Sequence, residues 1–187
     1  GKACIDLEAL ANHRGSALGA LGEKSQPSQE MFENLLAASL IKAKSKEEII
    51  FIEDESQRIG NLQIPMPLWY TMRKKQVFFI EIPFEKRLDY ITEAYAIHPL
   101  DALTDGVYRI QKRLGGLETK QAVQHIQERN FKEGFRILLN YYDKYYKKGL
   151  NNREEAESLI HYILSDDIDP ITNANILLEN IKNTHGK

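Results

Sequence analysis

Ile49-Ile50-Phe51-Ile52 is a continuous apolar run rich in β-branched residues. A strand with one wet face alternates apolar and polar positions. A run with no polar position has to be covered on both faces, which is the condition of a strand inside a parallel sheet. The run ends in Glu53-Asp54-Glu55-Ser56, so the strand delivers acids to its C-terminal end. Residues 2–8 have the same form, an apolar segment closing on Asp6 and Glu8, and read as a first strand. Val77-Phe78-Phe79-Ile80-Glu81-Ile82 reads as a third.

Helical signals fall between and after these runs. Pro27-Ser28-Gln29-Glu30 opens a helix with proline near its entry and acid in its first turn. Phe32, Leu35, Leu36, Ser39 and Leu40 then recur at helical spacing. Residues 68–75 form a short helix after Ile64-Pro65-Met66-Pro67, and residues 84–95 another, with Leu88, Ile91 and Tyr95 on one face. Strands alternating with helices predict an α/β fold with right-handed crossovers. After Pro99 the reading is helical throughout. Helices are expected over 99–114 (stopped by Gly115-Gly116), 119–129, 131–148 (closed by Gly149), 152–164 and 171–181. The expected division is an α/β domain over 1–98 and an all-helical subdomain over 99–187.

At 187 residues, 42% hydrophobic and 28% charged, the chain has the composition of an ordinary globular protein. Its single cysteine, Cys4, excludes an internal disulfide framework and a Cys-rich zinc site, and is expected to be a small buried strand residue. The five histidines show no metal-ligand spacing, so no metal site is expected. Apolar runs fall far short of the ~18 residues that span a bilayer. With no basic-plus-apolar leader ahead of Ile5, the expected compartment is the cytoplasm, away from membranes. Charge is unevenly spread. Residues 108–148 hold ten Lys or Arg against four acids, and residues 151–187 hold three against seven.

Two stretches carry phosphate chemistry. In Asn12-His13-Arg14-Gly15-Ser16, Arg14 offers a planar fork of donors and Gly15 lets backbone N–H groups come close to an anion. Ser16 adds a hydroxyl and His13 an imidazole. An apolar strand feeding Glu53, Asp54 and Glu55 into a loop is the form in which a carboxylate meets Mg²⁺ or a catalytic water beside phosphates. Arg58 follows closely. Arg87, just past the third strand, can reach a phosphate at the sheet edge or pair with Glu85 or Asp89. A third stretch, Tyr141-Tyr142-Asp143-Lys144-Tyr145-Tyr146-Lys147-Lys148, sets four tyrosines on one broad helix face edged by lysine. That mixture stacks on exposed bases and neutralises phosphates, or else packs a bundle with its hydroxyls at the rim.

Taken together these runs resemble a known family. Asp6-Leu7-Glu8, Ala11-Asn12-His13-Arg14-Gly15-Ser16, Gln26-Pro27-Ser28-Gln29 and Phe32-Glu33-Asn34 look like the C-terminal P-loop domain of tRNA 2-selenouridine synthases. Glu53-Asp54-Glu55-Ser56, Ile59-Gly60, Ile64-Pro65, Arg113-Leu114-Gly115-Gly116 and the tyrosine stretch are similar in order and spacing. The resemblance covers roughly residues 3–150. It implies a partial P-loop-type parallel sheet flanked by helices. It also implies conversion of wobble 2-thiouridine to 2-selenouridine through an S-geranylated intermediate, with geranyl diphosphate and selenophosphate as co-substrates. No covalent cofactor is implied, and Mg²⁺ is allowed. On this reading Glu53, Asp54, Glu55 and His13 are catalytic. Arg14, Gly15, Ser16, Ser28, Arg58 and Arg87 meet phosphate. Lys112, Arg113, Lys144 and Lys147 hold the tRNA anticodon arm.

Two features depart from the family's pattern. Family members carry a rhodanese domain with a reactive cysteine, a role Cys4 does not match. They also carry a Gly-Lys-Ser/Thr phosphate loop ahead of the Asp-Leu-Glu segment, which Gly1-Lys2-Ala3 does not reproduce. The expected partner is therefore that rhodanese and P-loop segment, in cis or in trans, and this chain alone is expected to be inactive. Alternative readings are a fragment of another P-loop ATPase or kinase-like domain, and a non-catalytic RNA-binding module.

Overall fold

The computed structural model describes residues 2–47 and 49–185, the side chains of 183–185 excepted. The chain forms two compact units, Gly1–Arg73 and Lys74–Lys187. Each is a mixed α/β body with a short parallel strand pair flanked by helices, and the C-terminal region is largely helical.

In the first unit, β1 (Cys4–Ile5) pairs in parallel with β2 (Phe51–Ile52), with Cys4 opposite Phe51 and Ile5 opposite Ile52. The expected strand over 2–8 is cut short. Asp6 turns the chain and accepts the Ala9 N–H through its side chain at 2.7 Å, so Leu7–Ala11 is helix α1. The cap outweighs the apolar strand signal because it satisfies a helix N–H that would otherwise lack a partner. Helix α2 (Gln29–Lys44) starts where proline and acid placed it, with Ser28 as its cap. A hairpin of β3 (Arg58–Ile59) and β4 (Leu62–Gln63), which carried no strand signal of its own, precedes α3 (Met66–Arg73). Ile5, Leu7, Ala11, Phe32, Leu36, Ile59, Leu62 and Ile64 form the core of this unit. Cys4, expected inside, is exposed: with only two residues in the strand, its side chain falls on the uncovered face.

In the second unit, β5 (Val77–Glu81) leads into α4 (Phe84–Tyr95), α5 (Leu100–Arg109), α6 (Gln111–Leu114), α7 (Gly116–Gln127) and α8 (Phe131–Asn151). Gly115 separates α6 from α7, whereas Gly116 begins α7 instead of ending a helix. Gly149 does not close α8, which continues to Asn151 and buries Leu150. The largest correction comes next. Residues 152–164 were expected to be helical. They form α9 (Ala156–Leu159) and then a strand, β6 (Ile160–Leu164), parallel to β5 with Val77 opposite Ile160 and Glu81 opposite Leu164. Phe78 stacks on His161 across the pair, and Ile163 is buried. Helix α10 (Pro170–His185) completes the described chain.

Candidate functional site

Parallel pairing of β1 with β2 explains why the two acidic segments meet. Both strands run the same way and both end in acids, so Asp6-Leu7-Glu8 and Glu53-Asp54-Glu55 leave the sheet side by side. Open α/β sheets present ligands at this end of their strands. Glu53 Oε2 accepts the backbone N–H of Glu8 at 3.0 Å and also faces the Leu7 N–H. Glu53 thus caps α1 from the neighbouring strand, and Asp6 caps it from within.

The side chains of Glu8 and Glu55 hydrogen-bond to each other. A Cβ added at Gly15 would lie 2.9 Å from Glu55 Oε2 and 3.0 Å from Glu8 Oε1, so both carboxyl groups lie against the Gly15 Cα. Gly15 has φ +62°, a conformation that other residues adopt only with strain. Crowding of half-buried acids shows in their titration. Burial, then Glu55, Glu53 and Asp6, push the Glu8 carboxyl up to about 7, against the pull of Arg14. Burial raises Glu53 and Glu55 as well; Glu55 is raised further by Glu53 and Asp54. Partial desolvation, Glu53 and Asp6 raise the Cys4 thiol.

Arg14 stands at the edge of this cluster, with its Nε donating to Glu23 Oε1 at 2.7 Å. The loop it opens is closed by Arg14 N–H to Gly19 O and by Ser16 N–H to Arg14 O. His13 is buried, its backbone N–H donating to Glu8 O at 3.0 Å. Its ring is walled by backbone: Cβ atoms at Gly19 and Gly60 would lie 2.9 Å and 2.8 Å from it.

The first unit therefore gathers His13, Arg14, Gly15, Glu53 and Glu55. It adds Glu8 and Asp6, which were not among the expected site residues although two acidic strand ends of like form were in view. Ser28 stands apart as the α2 cap, its Oγ accepting the Met31 N–H at 3.2 Å. Arg58 lies exposed on β3, where its carbonyl accepts from the Ser56 hydroxyl. Among the described residues no group of three or more His, Cys, Asp or Glu is arranged to hold a metal ion.

The other expected residues lie in the second unit. Arg87 pairs with neither Glu85 nor Asp89. It forms a two-pronged bridge to Asp143 on α8, both N···O distances 2.7 Å, and its Nε donates to Ile82 O. Glu85 is taken instead by Arg136, and Asp89 by Lys132. Lys112 and Arg113 lie exposed on α6, and Lys144 and Lys147 on α8. Lys147 sits 3.9 Å from Glu81, a loose surface pair. Tyr145 donates its hydroxyl to Arg113 O at 3.3 Å, and Tyr141 interacts with the Arg113 side chain, so α6 and α8 form one surface. Tyr142, Tyr145 and Tyr146 are each close to two-fifths exposed, with Tyr146 against Phe79 and Tyr141 against Tyr145.

Residues 2–167 match the family profile of the tRNA 2-selenouridine synthase AAA domain. The chain belongs to that family. Among curated relatives, the tRNA 2-selenouridine synthase of Alcanivorax borkumensis is 33% identical over 89% of this chain and 47% of its own length. Those of Hahella chejuensis and Aeromonas salmonicida are 31% and 32% identical, each over 81% of this chain and 48% of their own length. The chain spans about half the length of these relatives. No solved structure matches it.

Proposed function

We propose that this chain is the part of a tRNA 2-selenouridine synthase that holds the phosphorylated co-substrate and grips the tRNA. The family match over residues 2–167 carries the reading. The reaction is replacement of sulfur by selenium at wobble 2-thiouridine, through an S-geranylated intermediate, with geranyl diphosphate and selenophosphate as co-substrates. Arg14, Gly15 and Ser16 face the phosphates. Glu55 and Glu8 handle protons beside them, with His13 fixing the loop and Glu53 and Asp54 setting the local field. Four neighbouring acids repel a phosphate, so the site depends on Arg14 and on the proton that Glu8 retains near neutral pH. Lys112, Arg113, Lys144 and Lys147, with the tyrosine face of α8, take the anticodon arm. The rhodanese and P-loop parts of the enzyme complete the reaction, and this polypeptide alone does not catalyse it.

The reading is tested by titrating the chain with a 2-thiouridine anticodon-arm RNA and, separately, with geranyl diphosphate, each at two salt concentrations. RNA affinity is expected to fall steeply with salt, because phosphate contacts release counterions, and ligand affinity much less. Lys144→Ala and Lys147→Ala should weaken RNA binding alone, and Arg14→Ala ligand binding alone. Loss of RNA binding in Arg14→Ala with no effect of either lysine would overturn this division of roles. Selenation by the isolated chain would overturn its dependence on the rhodanese and P-loop parts.

A further inference from the structure

Within the second unit a groove of about 500 Å³ opens between α5, α6 and α7, and none of the lysines already assigned lines it. Its size falls in the range of small-ligand sites. Buried Val123 lines it, as does Tyr108 at the end of α5, a residue about half exposed. Gln111 and Gln127 bring exposed primary amides to the groove. Lys120 supplies a positive charge, and no acid lines the groove. A Cβ at Gly116 would meet nothing within 4 Å, so that wall has room for a ligand's backbone. The remaining polar lining is engaged elsewhere: the Thr119 hydroxyl donates to Gly115 O, and the Gln124 amide donates to Glu128.

We propose that this groove binds one unpaired nucleobase of an RNA loop together with an adjoining phosphate. The inference rests on the tRNA reading above and extends it to a specific pocket. A primary amide presents a donor and an acceptor side by side, which is the pattern of a base edge. A tyrosine ring stacks on a base of any identity, and Lys120 meets the phosphate. A paired base is buried in its own stack and cannot enter, so the groove selects loops over duplex. Gln111 adjoins Lys112 and Arg113 on α6, and Arg113 is tied to Tyr145 of α8. The groove and the α8 tyrosine face are thus both joined to the short helix α6, the first through Gln111 and the second through Arg113. An acidic peptide is the competing occupant, but Val123 and Tyr108 offer it little apolar anchorage.

The test uses the whole chain with two RNAs of equal length, a stem-loop carrying 2-aminopurine in its loop and a fully paired duplex. Tyr108→Ala should lower stem-loop affinity roughly tenfold and leave duplex binding unchanged. Gln111→Leu with Gln127→Leu should flatten the preference among loop bases at constant salt dependence. Lys120→Ala should reduce the salt slope by about 0.7. All of these positions are exposed, and thermal melts confirm that each variant folds. Stem-loop binding by the wild type that is unchanged in Tyr108→Ala and in the double glutamine variant would overturn the groove assignment alone. So would binding of a poly-glutamate peptide that is lost in Lys120→Ala while RNA binding by the same variant is unchanged. Failure of the wild type to bind either RNA would remove the tRNA reading and the groove with it.

Discussion

Glu8 shows how a single carboxyl ties stability to pH. Its proton is held up to about 7 in the fold, whereas in the unfolded chain it leaves near the ordinary value of 4.5. Between these values the folded state binds more protons than the unfolded one, so stability falls as pH rises. The favourable contribution is complete below about 4.5 and gone above about 7. Glu8→Gln keeps the shape of the protonated acid and removes its charge. Melting curves from pH 5 to 8 should fall for the wild type and be flatter for Glu8→Gln; parallel curves would show that Glu8 is not the group responsible. Gly15 answers to sterics instead. In Gly15→Ala the methyl group meets both carboxyls near 3 Å at φ +62°, and the change should cost about 1–2 kcal/mol, read from urea midpoints.

The helices show what local pattern can specify. Phe84–Tyr95 has the expected bounds because Pro83 fixes its start and Leu88 marks a single buried face. Ser28 caps α2 where the Pro-Ser-Gln-Glu run placed the start. The acids of β1 and β2 were legible as strand ends. That Glu8 and Glu55 share one point above Gly15 was not, because it depends on the parallel register of two-residue strands. Ile160–Leu164 escaped for a related reason: a short apolar run suits helix or strand equally, and its deciding partner, β5, lies 83 positions earlier in register. The strand carries a prediction of its own. Ile163 is buried at 3% exposure, so Ile163→Ala should destabilise the second unit by about 2–4 kcal/mol. The outward-facing Leu164→Ala, at 78% exposure, should change stability by less than about 0.5 kcal/mol. Equal effects would contradict the side-chain alternation assigned to β6.

Across the whole chain, charge is sorted by segment, with excess base over 108–148 and excess acid from 151 onward. For single-stranded RNA each phosphate contact contributes about 0.7 to the slope of log affinity against log salt. Lys112→Ala and Lys144→Ala should each lower that slope by about this amount. Lys46→Ala, an exposed lysine of the first unit, should leave it unchanged. An equal loss from all three would point to diffuse attraction instead of a defined face. The pairing of β5 with β6 bears on how the protein is made. Val77 finds Ile160 only after 83 further residues have been synthesised, which at ribosomal rates is about 4–17 s. Throughout that interval Phe78 and Phe79 lack the strand that will stack on them, while the helices encoded in between are being made. The emerging polypeptide therefore passes through a stage in which its most aromatic strand is a target for chaperones, and synonymous changes that slow translation between codons 82 and 160 lengthen it.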